Sequence, residues 1–196
     1  MKKLLTIAAL VGITSLSFGQ GQLNWNNTAG TLITVDGVSM PANNPVSTAT
    51  TYNFGLFFAP AGTAAPTGIN DPNWQTVAAY AQNSTSAAGA GRFQNPGQAT
   101  IPGYAGGTSI AFVIMGWQST SGGADWAAAK NGLTAFGMSS LGSVASLGGG
   151  PIPIPSAFGL GAGQVGGFNI TTIPEPTSIV LAGLGAASLL MFRRRK

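Results

Sequence analysis

The stretch Thr108 to Gln118, TSIAFVIMGWQ, is the most continuous apolar run in the interior of the chain. It is β-prone and alternates poorly. That combination predicts a strand buried on both faces in the middle of a sheet. Upstream, Thr50 to Phe58 reads TTYNFGLFF and does alternate, which directs Tyr52, Phe54, Leu56 and Phe58 toward a core. Shorter strand-like runs lie around these two, at Gln22 to Asn26, Thr31 to Val35, Trp74 to Tyr80, Arg92 to Ile101, Leu133 to Ser139 and Val165 to Thr172. The Arg92 run is interrupted at Pro96-Gly97, and the Val165 run is expected to form the last edge of a sheet. Asp36-Gly37 is a strong hairpin turn pair, and Asn70-Asp71-Pro72 marks another turn. Asp125 followed by Trp126 and three alanines predicts a short capped helix over Ala124 to Lys130. Leu147 to Gly163 carries Pro151, Pro153 and Pro155, so an extended loop is expected there and no central strand. The resulting fold class is all-β, a single antiparallel β-sandwich of jelly-roll type with glycine- and proline-rich loops.

Composition narrows the chemistry. The chain has 196 residues, 30 of them glycine, with no cysteine and no histidine. Only 6% of residues are charged, against roughly 25% in ordinary globular chains. A thiolate nucleophile, a disulfide, a histidine base or a cysteine or histidine metal site cannot be built from it. No cofactor and no metal are expected. The formal charge of +4 invites a nucleic-acid reading, but six of the eight cations sit at the two ends. The interior holds Arg92 and Lys130 against Asp36, Asp71 and Asp125. Two isolated cations cannot supply the clustered phosphate contacts that nucleic-acid binding needs, so no nucleic-acid partner is expected.

The ends read as targeting segments. Residues 1–19 show Lys2 and Lys3, an apolar stretch from Leu4 to about Ile13, then small and polar residues, which is the form of a secretory signal peptide. Ser17 and Gly19 suit the small-residue preference of signal peptidase, placing cleavage between Gly19 and Gln20. The predicted body is residues 20–172. At residues 173–196, Pro174-Glu175-Pro176 precedes an uncharged run from Thr177 to Phe192 and the basic tail Arg193-Arg194-Arg195-Lys196. As a helix that run spans about 24 Å, a little less than the roughly 30 Å hydrocarbon core. The basic tail is expected to stay cytoplasmic, with the proline motif at the outer surface.

This order of features resembles the PEP-CTERM sorting signal of Gram-negative bacteria. The resemblance covers residues 173 to 196, with Pro174, Glu175 and Pro176 as the sorting motif. It implies recognition and cleavage by an exosortase-like membrane protease, a transient inner-membrane anchor, and delivery to the cell envelope, cell surface or extracellular matrix. Gly21 to Asn27, Asn53 to Phe58, Val113 to Trp117 and Asp125-Trp126-Ala127 are also similar to motifs in a Verrucomicrobia-type group of such proteins. That second resemblance implies a β-sandwich cargo without an assigned activity.

The remaining chemistry is sparse. Asp36, Asp71 and Asp125 each sit where a turn or helix cap would place them, so enzymatic activity is not expected. Gly161 to Gly166 matches GxGxxG literally but lacks the flanking strand and helix that the motif needs. Trp74 and Trp126, beside turns, are expected to be the exposed aromatic rings available for glycan contact. The reading is a non-enzymatic envelope or biofilm-matrix protein, with a carbohydrate-binding module acting on exopolysaccharide as the alternative.

Overall fold

Two adjacent strands with almost no polar side chains need cover on both faces, and the architecture supplies it twice. The computed structural model describes residues 19–43, 51–94, 97–120 and 123–174, together with Leu181 and Leu184. The strands are β1 (Gln20–Asn24), β2 (Thr34–Val35), β3 (Val38–Ser39), β4 (Asn53–Pro60), β5 (Val77–Gln82), β6 (Gln98–Ala105), β7 (Ile110–Ser119), β8 (Leu133–Met138), β9 (Gly142–Val144) and β10 (Asn169–Thr172). One short helix, α1 (Trp126–Ala129), and two 3-10 turns complete the described elements. The large sheet runs β3-β2-β10-β8-β7-β4-β5, with β9 also on β7, and β1 pairs with β6 in a second sheet.

The centre is the antiparallel β4–β7 pair, in register from Asn53 opposite Trp117 to Pro60 opposite Ile110. Phe54, Leu56 and Phe58 of β4, with Ile110, Phe112 and Ile114 of β7, face the second sheet and meet Leu23, Ala99 and Ile101. Phe57, Ala59, Val113, Met115 and Trp117 point to the opposite face, where Trp74, Trp126 and Ala129 cover them. Two-sided burial is thus the reason β7 alternates so poorly. It applies to β4 as well, where Phe57 adds a second buried face to the one that its alternation indicates.

Two local devices shape the sheet. At the β2–β3 turn Asp36 and Gly37 both have positive φ, 48° and 81°, which fits a two-residue hairpin loop between the pairs Val35–Val38 and Thr34–Ser39. Along β7, β8 and β9 form one edge interrupted after Met138. Ser139 bridges the interruption: its N–H donates to Ile114 O at 2.9 Å, and its Oγ accepts from Ile114 N at 3.0 Å. A side-chain oxygen therefore stands in where a ladder carbonyl is missing, and the buried Ile114 N–H stays paired.

Several elements differ from the sequence expectation. Pairing between the described strands is antiparallel except between β10 and β2, which run parallel. β10 is short, Asn169–Thr172, and lies between β2 and β8 rather than at an edge. Gly137 makes that placement sterically tight, since a Cβ there would strike Asn169 O and come within 2.8 Å of Ile170 Cα. The Arg92 to Ile101 run yields a strand only from Gln98 onward, with Phe93 making an isolated bridge to Asn83. Trp74 belongs to a 3-10 turn, and its strand begins at Val77. The proline-rich segment forms only isolated bridges, and it borders β1 through Gln22 N to Gly148 O and Ala157 N to Asn24 O. Ser139→Ala should leave Ile114 N–H buried without its acceptor and cost about 1–3 kcal/mol in urea unfolding. Unchanged stability would mean that the Ser139 bridge contributes nothing.

Candidate functional site

The C-terminal junction is where the body meets the sorting segment, and it is built by side chains more than by the short strand itself. β10 uses Asn169 and Ile170 to pair with β2, and Thr171 and Thr172 to pair with β8. Asp36, held in the β2–β3 turn, accepts from Thr172 N at 3.0 Å and from Thr172 Oγ1 at 2.9 Å. At the other end, Asn169 Oδ1 accepts from Thr34 Oγ1 at 2.8 Å and Gly37 N at 2.9 Å. The turn therefore grips β10 at both ends. Ile173 N still donates to Thr134 O at 2.7 Å, after which Pro174 is exposed.

The other two interior carboxylates also serve local structure. Asp71 caps the 3-10 turn Pro72–Trp74, and the main-chain N–H groups of Thr67 and Asn73 hold its carboxyl below the usual carboxylate range. Asp125 caps α1, accepting from Ala127 N at 2.8 Å. The turn and cap roles read from the sequence are those found in the structure.

Of the site residues named from sequence, Gly19 and Gln20 are exposed at the start of β1, and Pro174 is exposed after β10. Glu175, Pro176 and Arg193, Arg194, Arg195 and Lys196 lie outside the described residues, as does nearly all of the expected membrane helix. Leu181 and Leu184 are helical and exposed, at 72% and 60%. Among the described residues no helix is long and apolar enough to cross a membrane.

The expected exposure of Trp74 and Trp126 is overturned. Trp74 is 0% and Trp126 2% exposed, and Trp25 and Trp117 are fully buried too. Each turn folds its indole back over the outer face of the β4–β7 pair, where it covers large apolar area. Trp126 lies 5.3 Å from Phe57 and 5.1 Å from Trp117 between ring centres, and Trp74 Nε1 donates to Ala64 O at 3.0 Å. The aromatic ring left at the surface beside them is Tyr80, which flanks an open groove of about 620 Å³ with Gln75, Asp125 and Lys130. Its outward position on edge strand β5 is set by the register with β4, which no local signal in the sequence reports.

Asp36→Ala should remove both bonds to Thr172 and place alanine in a left-handed conformation, lowering stability by about 1–2 kcal/mol and speeding hydrogen exchange at Thr172. Equal exchange in variant and parent would show that the turn does not hold the last strand.

The model of the PEP-CTERM protein-sorting motif matches residues 172–196, beginning at the last residue of β10. No curated protein and no solved structure matches the chain. The segment that begins where the last strand ends is thus a PEP-CTERM sorting signal, of the kind processed by exosortase, and it marks the chain as an exported protein.

Proposed function

We propose that the protein is a non-enzymatic component of the cell envelope or extracellular matrix, held briefly in the inner membrane by its C-terminal segment and then released by cleavage near Pro174-Glu175-Pro176. The observation that carries this reading is the position of the sorting-motif match, which starts at Thr172, where the side-chain grip of Asp36 ends. Removing the residues after Pro174 takes away none of the described strands. A non-catalytic role is supported by the employment of Asp36, Asp71 and Asp125 in turns and caps, and by a sequence without histidine or cysteine. A surface with so few charges suits contact with neutral, hydroxyl-rich material. A carbohydrate-binding module resting on Trp74 and Trp126 loses its support, because both rings are in the core.

Glu175→Ala in the producing cell tests the sorting half of the proposal. The variant should accumulate in the inner-membrane fraction at its unprocessed size while the parent protein reaches the envelope or the medium. Identical processing and location for both would count against cleavage guided by this motif.

A further inference from the structure

Arg92 is one of two cations in the interior of the chain, and it has an unusual setting. Its Nε is buried and has no hydrogen-bond partner among the described residues. The carboxylates of the body are committed elsewhere: Asp36 to Thr172, Asp71 to Thr67 and Asn73, and Asp125 to Ala127. Lys130, by contrast, donates to Gln75 Oε1 at 3.2 Å. Among the described residues no carboxylate pairs with this half-buried side chain, and Arg92 lines a cleft through which an anion can reach its guanidinium.

The segment that carries Arg92 is fixed on all sides. Asn27, 8% exposed, donates from Nδ2 to Gly91 O at 2.8 Å and accepts at Oδ1 from Phe93 N at 2.9 Å, so one amide clamps the residues before and after Arg92. Arg92 itself donates from its main-chain N to Gly89 O and accepts from Ser84 N, each at 2.9 Å. Phe93 is locked into the core against Trp25 at 5.3 Å and Phe54 at 4.5 Å between ring centres. Gly91 has φ 76°, and a Cβ there would press on Leu32 and Ile33 O, so the approach to Arg92 is set by packing. The Trp25-Asn26-Asn27 run near the start of the chain is thereby the support of this segment, with Asn26 Oδ1 also accepting from Gly97 N at 3.0 Å.

Arg92 lines an open cleft of about 410 Å³ together with Asn26, Ser84 and Gln94. We infer that this cleft binds a carboxylated saccharide, with the Arg92 guanidinium taking the carboxylate and the neighbouring amides and hydroxyl taking sugar hydroxyls. A single cation suits a singly charged group, and the planar fork of arginine matches a carboxylate in two parallel hydrogen bonds. Apart from Phe93, the other lining side chains are hydrogen-bonding groups without charge, which suits a hydroxyl-rich scaffold better than a multiply acidic peptide. The inference stands apart from the sorting route, since it concerns only the body.

The test is calorimetric titration of the full-length chain in detergent with trigalacturonic acid, its neutral methyl ester and triglutamate. The acid should bind, the ester should bind about tenfold or more weakly, and Arg92→Gln should lose a comparable factor. Arg92→Lys should keep part of the affinity, and Lys130→Gln should keep all of it. Equal binding of acid and ester, no binding of the acid, an unaffected Arg92→Gln, or preference for triglutamate would each overturn the inference. If Arg92→Gln does not fold by near-ultraviolet circular dichroism, the NMR signal of Arg92 Nε–H in the unmodified chain decides. At equal ligand concentration it should move further with the acid than with the ester, and equal movement with both would overturn the inference.

Discussion

The antiparallel pairing of β4 with β7 is the constraint on which the other elements depend. Its two strands are buried from Asn53 to Ala59 and from Ile110 to Trp117, so neither face can be left to water. The second sheet covers one face through Leu23, Ala99 and Ile101, and the turns bearing Trp74 and Trp126 cover the other. Each buried large side chain is worth about 1.5–3 kcal/mol relative to exposure, so a doubly covered pair concentrates stability in the middle of the sheet. The chain needs that concentration, because it has no disulfide to staple it. The same arrangement explains why Trp74 and Trp126 are inside: they are part of the cover of the outer face of the β4–β7 pair.

A second consequence concerns the end of the body. β10 is only four residues long, yet it sits inside the sheet between β2 and β8. A strand that short has little pairing of its own, and the Asp36 and Asn169 side-chain bonds to opposite ends make up for it. The membrane-directed segment therefore leaves from an interior strand, where a pull on the tail is resisted by two neighbours at once. An edge strand would peel more readily.

Much of this was legible locally. The TSIAFVIMGWQ run announced a doubly buried strand, the Asp36-Gly37 pair a tight hairpin turn, Asp125 a helix cap, and the alternating prolines a loop, because each depends on a few neighbouring residues. The parallel β2–β10 pairing and the interior position of β10 were not legible. They are set by contacts across more than 130 residues of sequence, such as Asp36 to Thr172. The tryptophans failed for a related reason: proximity to a turn suggests exposure, but only the fold shows that these turns close over a bare sheet face. The same limit hid the setting of Arg92, which depends on an amide that reaches from Asn27 to Gly91 and Phe93.

On the proposed route, a β body whose last described strand ends at Thr172 is exported and then parted from its C-terminal segment. The intact mass of the protein recovered from the envelope and the medium of the producing cell tests it most directly. The recovered chain should begin at Gln20 and end close to Pro174, with any added mass carried on the body. A mass that still includes Arg193 to Lys196 in every fraction would contradict it, and would make the protein a permanent membrane-anchored one.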